Sequence, residues 1–292
     1  MSFFQPAPGA VLSHDIADYP DGIVLPIDKP YRWTSADVIR KVKFAAFRHF
    51  RKKNLKVGHA GTLDPLATGV LLVCLGPACK RAQEFQDHDK EYVAGIRFGA
   101  TTPSYDLEKE VDRTFPYDQV TEEAVRAVLP SFLGPQEQVA PLFSAKSVDG
   151  VRAYEMARKL YRNAQKGVLD PDFDAAALET LHRSRITISD LELLEYVEAS
   201  AGPVVISSDA AGGVEKSASS RINVADTSSL GLPEARIRIA CSKGTYIRAF
   251  ARDLGEALGT GAHLSSLVRT KTGAFRLEDA LSLEEALALL AD

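Results

Sequence analysis

A twelve-residue segment, GHAGTLDPLATG at 58–69, holds the residues best suited to carry out chemistry. Its Asp64 precedes Pro65, which biases Asp64 toward an extended conformation that can direct a carboxylate out of a turn. A carboxylate placed in this way can act as a nucleophile or remove a proton. The same residues also suit a structural turn in which Asp64 only accepts hydrogen bonds from backbone amides. Taken alone, a loop of this composition favours the structural turn.

A basic segment lies directly before this loop. Residues 40–56, RKVKFAAFRHFRKKNLK, carry eight Lys or Arg, one His and no acid, although the chain has a formal net charge of −4 and a pI near 5.9. An acidic chain argues mildly against a nucleic-acid partner, but it can still present one phosphate-binding face. A solvated helix face would explain the same pattern equally well.

The elements that must position these residues are helices and strands without strict βαβ alternation. This mixture favours an α+β fold with a largely antiparallel or mixed sheet. Thr34 or Ser35 can cap a helix that runs to about Phe50, and the apolar run at 70–76 predicts a buried strand. The other predicted strands are 22–27, 91–98, 185–196 and 235–241, and the other predicted helices are 121–134, 151–162, 245–259 and 281–290.

Composition argues against several classes of protein. No run of about 18 apolar residues predicts a membrane span, and the start, MSFFQPAPGA, lacks the basic and apolar regions of a signal peptide. Three cysteines, an odd count without a CxxC pair, argue against a disulfide scaffold or a zinc site and for a reducing compartment. We therefore expect a cytoplasmic protein with no membrane partner.

Five segments, in order, resemble the sequence signatures of the TruB family of pseudouridine synthases. GHAGTLDPLATGVLLVCLGPACK is similar to the family's GHxGxLDPxAxGxLxxxxGxATK signature, with Cys79 in place of the usual Thr. Arg32 replaces a usual glycine, Ser104 replaces a usual threonine, and one later glycine is missing. The matches span about residues 22–285. The other four segments are LPIDKPYRWTSADVIRKVK, KEYVAGIRFGATTPSYDLEKEV, PLFSAKSVDGVRAYEMAR and CSKGTYIRAFARDLGEALGTGAHLSSLVRTKTGAF.

The resemblance implies a pseudouridine synthase fold, with helices around a central mixed sheet and an active-site cleft. It implies that uridine 55 in the tRNA T loop is isomerised to pseudouridine without a cofactor or a metal ion. We expect a loose tail at 1–20 and one catalytic domain at 21–292. Insertions are expected at about 163–183 and 197–231, and the C-terminal PUA-like domain of many bacterial members is expected to be absent.

The resemblance also implies roles for individual residues. Asp64 matches the catalytic Asp, which could attack the sugar, attack the base or remove a sugar proton. Tyr92 matches the active-site Tyr, expected to stack on the flipped base, and Arg248 matches the Arg expected to pair with the catalytic carboxylate. Without the resemblance, Tyr92 would be an ordinary strand aromatic and Arg248 a routine surface residue.

Further residues are expected to contact the RNA or border the cleft. His59 matches the family's His, expected to fill the space that flipped nucleotides vacate, and Leu267 matches a pocket-lining aliphatic residue. Lys29 and Pro30 match a turn at the cleft border. The basic segment 40–56 is expected to meet tRNA phosphates, in particular through Arg51, Lys52, Lys53 and Lys56.

Three other functions share some of these features. A tRNA-binding protein or folding chaperone would need no combination of Asp64, Tyr92 and Arg248. A guide-RNA-dependent relative would use a PUA domain and partner proteins. A glycoside-type hydrolase would need a second carboxylate, and the loop offers none. The sequence therefore favours a monomeric enzyme that binds the T stem-loop of tRNA without a guide RNA.

Overall fold

The computed structural model describes residues 3–7, 9–141, 147–148, 151–152, 183–200, 222 and 224–291. In these ranges the helices are α1 (Ser35–His49), α2 (Ala82–Asp87), α3 (Glu122–Val128), α4 (Ile247–Ala257) and α5 (Leu283–Ala288). The longer strands are β1 (Ile23–Lys29), β2 (Val57–Ala60), β3 (Ala67–Leu75), β4 (Lys90–Phe98), β7 (Gly134–Val139), β10 (Arg183–Val197), β11 (Glu234–Cys241) and β12 (Ala262–Thr272). The two-residue strands are β5 (Ala100–Thr101), β6 (Arg113–Thr114), β8 (Ser147–Val148), β9 (Val151–Arg152) and β13 (Phe275–Arg276).

The main sheet of the described part of the chain has the strand order β1-β3-β12-β4-β11-β10-β7, and β5-β6 and β8-β9 form two small separate sheets. Strand β2 also pairs with β3, and β13 pairs with β12. Every neighbouring pair along this order is antiparallel except β12 and β3, which are parallel. The expected α+β fold with a mixed, largely antiparallel sheet flanked by helices is thus confirmed.

Strand β3 is buried on both faces, which explains its unbroken apolar run. Leu71 and Val73 belong to the main core, together with apolar residues of α1, α4 and α5. Leu72 and Cys74 belong to a smaller cluster on the other face, with Phe85 of α2. Because alternate side chains of a strand point to opposite faces, only a continuous apolar run can fill both clusters.

Helix α1 forms where the sequence predicts it. The Thr34 hydroxyl accepts the Asp37 N–H at 3.0 Å, and the Asp37 carboxylate accepts the Thr34 N–H at 3.1 Å, which completes a capping box. Helix α3 is shorter than predicted, because Pro130 forces a 3₁₀ turn at Leu129–Phe132 and Gly134 then starts β7. Among the described residues, no helix is long and apolar enough to cross a membrane.

The sequence analysis missed β12, although this strand lies between β3 and β4. Its pairing with β4 shifts register between Leu264 and Ser266 and again between Arg269 and Lys271. Each irregularity breaks the two-residue alternation by which a strand is predicted from sequence. The strand is therefore central but carries no simple sequence pattern.

The N-terminal segment differs from the expected loose tail. Phe4 forms a bridge with Ile23 of β1, and Leu12 and Ile16 are buried in the main core. The His14 ring lies over that of His49, at the end of α1, with ring centroids 4.4 Å apart. Apolar side chains spaced along 3–20 thus anchor this segment where the structure describes it.

Several predicted features fall largely outside the described residues. These are the helix at 151–162, apart from Val151–Arg152 in β9, and the expected insertions at 163–183 and 197–231. The end of the second insertion is described and returns to the main fold, since the N–H of Ala225 donates to the carbonyl of Leu107 at 2.8 Å.

Gly69 lies where β3 and β12 run parallel, and its φ is +99°. A methyl group there would lie 2.2 Å from the carbonyl oxygen of Arg269. We expect Gly69→Ala to lower the free energy of unfolding by on the order of 3 kcal/mol, through backbone strain and overpacking together. Urea denaturation followed by circular dichroism measures this loss.

Gly134→Ala is the matched control for Gly69→Ala. Gly134 has a similar φ of +93°, but a methyl group there would meet nothing within 4 Å. Its replacement should therefore cost only the backbone strain, on the order of 1 kcal/mol. Equal losses for the two variants would show that the contact with β12 does not constrain Gly69.

Candidate active site

The loop that carries Asp64 is short, because β2 extends to Ala60 and β3 begins at Ala67. It is fastened to α1 through Ser35, whose hydroxyl accepts the Leu63 N–H at 3.0 Å and donates to the Leu63 carbonyl at 3.2 Å. The Leu63 side chain is buried in the core, whereas the Asp64 side chain remains 36% exposed. The loop therefore presents its carboxylate to solvent from an anchored backbone.

Arg248, in the first turn of α4, holds this carboxylate with two hydrogen bonds. Its Nε donates to Asp64 Oδ2 at 2.8 Å and its Nη2 donates to Asp64 Oδ1 at 3.1 Å. Its Nη1 donates to the carbonyl oxygen of Ser104 at 3.2 Å. The Arg248 side chain is only 6% exposed. A buried guanidinium in this geometry fixes the orientation of the carboxylate.

Two further carboxylates, those of Asp106 and Glu108, lie near Arg248. Asp106 Oδ2 lies 3.7 Å from Arg248 Nε, and Asp106 Oδ1 accepts the Ser104 hydroxyl at 2.6 Å and the Glu108 N–H at 3.0 Å. Burial raises the pKa of Asp106, although Arg248 opposes this shift. Burial, followed by the nearby charge of Asp106, raises the pKa of Glu108 to about 7. The loop itself lacks a second carboxylate, as the sequence indicated, but the fold brings one from residues 104–108.

Tyr92 of β4 and Arg269 of β12 lie side by side on the sheet, as register partners. Tyr92 is 8% exposed, and burial raises the pKa of its phenol, so the hydroxyl stays protonated near neutral pH. Arg269 is buried, and its guanidinium donates to the carbonyls of Val70 at 2.7 Å, Gly61 at 3.2 Å and Thr62 at 3.4 Å. Arg269 therefore ties the start of the loop that carries Asp64 to the sheet.

The sequence analysis did not single out Arg269, Asp106 or Glu108. A signal was available for Arg269, since it follows Leu267 by two residues and so shares its strand face. Asp106 and Glu108 lie in a turn whose sequence, SYDLEKE, resembles any solvated acidic loop. Asp106 does match the Asp of the family signature in which Ser104 replaces a threonine, whereas only the burial around Arg248 distinguishes Glu108.

A cleft of about 650 Å³ brings the three predicted catalytic residues together. Asp64, Tyr92 and Arg248 all line it, and Leu267 forms part of its floor. Its far wall consists of α2, the start of β10 and the loop before α4. Among the described residues, no group of three or more His, Cys, Asp or Glu side chains could hold a metal ion. The other residues that line the cleft are Gly61, Thr62, Leu63, Gln83, Gln86, Asp87, Lys90, Ser184, Arg185, Ser242, Lys243, Gly244, Thr245, Tyr246, Ile247 and Arg269.

Lys29 and Pro30 support the cleft from behind and do not line it. Lys29 is completely buried, and its ammonium group donates to the carbonyls of Pro30 at 2.9 Å, Trp33 at 2.6 Å and Pro65 at 3.2 Å. Burial lowers the pKa of Lys29 to about 7. Its contact with Pro65 braces the residue that follows Asp64.

His59 also lies outside the cleft lining. It is half-buried on β2, opposite Val73 of β3, and within the described residues its Nδ1 atom has no hydrogen-bond partner. Burial, with a smaller effect of the Arg269 charge, lowers the pKa of its imidazole. His59 is therefore neutral near pH 7.

The basic segment forms an exposed surface apart from the cleft. Its apolar residues Val42, Ala46 and Leu55 are buried in the core, while its cations point to solvent. The exposed cations are Arg40, Lys41, Lys43, Arg48, Arg51, Lys52, Lys53 and Lys56.

Two family models match the chain. Residues 48–168 match the model described as TruB family pseudouridylate synthase (N terminal domain), and residues 248–292 match that described as tRNA pseudouridylate synthase B C-terminal domain. The second match begins at Arg248 and takes in most of α4 with β12, β13 and α5. It therefore covers part of the main sheet and one side of the cleft.

Curated relatives match over most of their length. The tRNA pseudouridine synthase B of Bacteroides thetaiotaomicron is 46% identical over 267 residues, covering 91% of this chain and 92% of the relative. The protein of the same name from Phocaeicola vulgatus is 45% identical over 267 residues, with the same coverage. That of Deinococcus deserti is 38% identical over 265 residues, covering 90% of this chain and 77% of the relative.

Solved structures show the same fold. A chain in the crystal structure of a Cbf5-Nop10-Gar1 complex matches with a TM-score of 0.55 at 24% identity, over 92% of this chain and 54% of that chain. A chain in the structure of an H/ACA RNP bound to a substrate RNA containing 2′-deoxyuridine matches with a TM-score of 0.53 at 22% identity, over 92% and 53%. This chain thus spans about half the length of those chains.

The raised pKa of Glu108 makes the stability of the fold depend on pH. In the unfolded chain Glu108 loses its proton near pH 4.5, whereas in the folded protein it retains the proton up to about pH 7. The folded state binds more protons between these values, so this contribution to stability is lost as the pH rises through 7. We expect Glu108→Gln to gain on the order of 2 kcal/mol over the wild type between pH 5 and pH 8.

Urea denaturation of both proteins at the two pH values measures this gain. Glu110→Gln is the control, because Glu110 is an exposed carboxylate two residues further along the same turn. Its stability relative to the wild type should be the same at both pH values. If Glu108→Gln behaves like Glu110→Gln, the Glu108 carboxyl group is not perturbed by the site.

Proposed function

The chain belongs to the TruB family of pseudouridine synthases, and from this premise we propose that it converts uridine 55 of the tRNA T loop to pseudouridine. Membership of this family means that the protein is an isomerase that acts on uridine in tRNA, as the names of its relatives indicate. The choice of position 55 is supported by the five ordered segments that resemble the family's signatures. The observation that carries the proposal is the bidentate pair of Asp64 and Arg248 inside the cleft.

The reaction breaks the C1′–N1 glycosidic bond, rotates the uracil and rejoins it through C5. An ionised carboxylate is needed at the reacting centre, either as a nucleophile or as a base. Asp64 is the group we assign to this task. Arg248 is assigned to hold it in a fixed orientation, and the burial of Arg248 supports this role because low solvent access strengthens a charged hydrogen bond.

The cleft is suited to a base that has been extruded from a folded loop. A flipped base is held by stacking and by hydrogen bonds in a fitted pocket. We assign the stacking surface to Tyr92 and the apolar contact to Leu267, since both line the cleft beside Asp64. His59, Lys29 and Pro30 lie behind or beside this cleft. Lys29 and Pro30 would therefore act by bracing the loop, and His59 by contacting the RNA where nucleotides have left the stack.

The exposed basic segment is assigned to the phosphates of the tRNA. Its cations are solvated and clustered, as phosphate binding requires. The proposed enzyme acts on the T stem-loop as a cytoplasmic monomer without a guide RNA.

Two other functions use the same site and are distinguished by their products. A tRNA-binding protein or chaperone would leave the RNA unmodified. A hydrolase would release free uracil, and the buried Asp106 provides the second carboxylate that such chemistry needs. Asp106 is already engaged by Ser104, by the Glu108 N–H and by the charge of Arg248, which favours a role in holding Arg248.

We expect Asp64→Asn to reduce kcat on an unmodified tRNA transcript at least about 100-fold, because it removes the reacting carboxylate. Arg248→Lys should reduce kcat by about 100-fold, since the single nitrogen of an ammonium group cannot reproduce the planar two-nitrogen fork that holds both Asp64 oxygens. The dissociation constant for tRNA should stay within a few fold of the wild type for both variants. Single-turnover assays with mapping of the pseudouridine position, and filter binding, measure these quantities.

The wild-type reaction contains its own controls. Pseudouridine at position 55, with no free uracil, is the expected product. Modification at another position would contradict the proposed target, and free uracil would favour the hydrolase. If Asp64→Asn retained more than a few per cent of wild-type turnover, with deamidation excluded by mass spectrometry, another group would be the reacting one.

We expect the joint replacement of Arg51, Lys52, Lys53 and Lys56 by Gln to weaken tRNA binding and flatten its salt dependence. Each lost phosphate contact should reduce the slope of log K against log salt by about 0.7 to 0.9. Filter binding over a range of KCl concentrations measures the slope. Replacement of Arg126, Arg236 and Arg276, exposed cations outside the basic segment, is the control and should change the slope less per charge. An unchanged slope in the first variant would place the RNA on another face.

A further inference from the structure

Among the described residues five cations line the cleft, and three of them are buried and donate to acceptors of the protein. Arg248 and Arg269 are buried and hydrogen-bonded as described above. Lys90 is buried as well, and its ammonium group donates to the carbonyls of Gln86 and His88. The remaining two, Arg185 and Lys243, are exposed. Of these five described cations, Arg185 and Lys243 are the two that a charged group of the substrate can meet from solvent.

Arg185 and Lys243 lie on the same rim of the cleft. The N–H of Ser242 donates to the Thr187 carbonyl at 2.8 Å, and the Ser242 hydroxyl accepts the Thr187 N–H at 2.9 Å. These bonds join the start of β10 to the loop that precedes α4. Arg185 is two residues before Thr187 and so shares its strand face, and Lys243 follows Ser242.

Lys243 is held by an ion pair across the rim. Its Nζ lies 2.8 Å from Oδ1 of Asp87, the last residue of α2, with 60% of the Lys243 side chain and 43% of the Asp87 side chain exposed. The same oxygen of Asp87 accepts the Gln83 amide at 2.9 Å. An ion pair between two solvated groups contributes little free energy, because both groups are nearly as well solvated apart. Lys243 can therefore leave Asp87 for an anion that binds it more tightly, and breaking the ion pair requires little free energy.

We propose that Lys243 and Arg185 bind the phosphates that flank the flipped uridine, and that Asp87 holds Lys243 until the RNA displaces it. This inference rests on the proposed function, which places a nucleotide base in the cleft. A nucleotide whose base enters the cleft must leave its phosphates at the rim. Phosphate oxygens are strong acceptors for Lys and Arg, and counterion release from RNA favours their contact with cations.

Lys243→Met tests the phosphate contact. It should weaken binding of an unmodified tRNA transcript about three- to tenfold and reduce the log–log salt slope by about 0.7 to 0.9. Lys243→Arg should retain the wild-type slope, because it keeps the charge. Arg236→Met is the matched control, since Arg236 is an equally exposed cation, 60% exposed, in an ion pair outside the cleft. A wild-type slope in Lys243→Met would overturn the proposal.

Asp87→Asn tests the exchange. It should tighten binding about two- to fivefold at low salt, because Lys243 is then free before the RNA arrives. Glu195→Gln, which frees Arg236 in the same way, removes an equal charge away from the rim and should have a smaller effect. In the Lys243→Met background the gain from Asp87→Asn should shrink to that of Glu195→Gln. If the full gain persisted there, Asp87 would act by simple repulsion and the exchange would be refuted.

These measurements use binding alone, so they do not depend on catalysis. A wild-type protein that bound tRNA but formed no pseudouridine would refute the proposed function. The salt slopes of the Lys243 variants would still show whether the rim contacts form. If the wild-type enzyme formed pseudouridine but Lys243→Met kept the wild-type salt slope, the rim contacts alone would be refuted.

Discussion

The structure around the cleft depends on the burial of one guanidinium group. Arg248 cannot lose its charge at physiological pH, so a fold that buries it must surround it with acceptors. The carboxylates of Asp64 and Asp106 and the carbonyl of Ser104 meet this requirement. Because Asp106 is itself buried and hydrogen-bonded, Asp64 is the partner that faces the cleft. Burial of the Arg248 cation thus orients a carboxylate that substrate can reach.

A second buried arginine acts on the backbone of the same loop. Arg269 bonds the carbonyls of Gly61 and Thr62, just before Asp64, while Lys29 bonds the carbonyl of Pro65 just after it. The loop is therefore held on both sides by basic side chains that make no hydrogen bond to the Asp64 carboxylate. Rigid support of this kind lets a short loop keep a carboxylate in one geometry without secondary structure of its own.

The sequence predicted the elements whose residues obey one simple period, and it missed those that do not. Helix α1 with its Thr34 cap and the apolar strand β3 were evident, because capping and burial each leave a local pattern. Strand β12 was missed, because its bulges break the alternation, and the loose tail expected at 1–20 was wrong, because Leu12 and Ile16 are too sparse to form a pattern. Of the residues that line the cleft, Asp64, Tyr92 and Arg248 were singled out through resemblance. Arg269 had a signal, its two-residue spacing from Leu267, that was not used. Asp106 and Glu108 were missed because burial, which only the tertiary structure creates, sets them apart from other acidic loop residues.

The position of β12 in the sheet has a consequence for the synthesis of the protein. This strand lies between β3 and β4, yet it is translated long after both, so the two earlier strands leave the ribosome without their shared neighbour. Their facing edges remain open until residues 262–272 have emerged, and open strand edges invite pairing with other chains. The nascent chain must therefore pass through a long stage in which most strands have been made but β3 and β4 cannot yet be joined into one sheet. A truncated product that ends before β12 should be both inactive and prone to aggregate. The insertion of β12 between β3 and β4 is therefore the step that commits the protein to its native state.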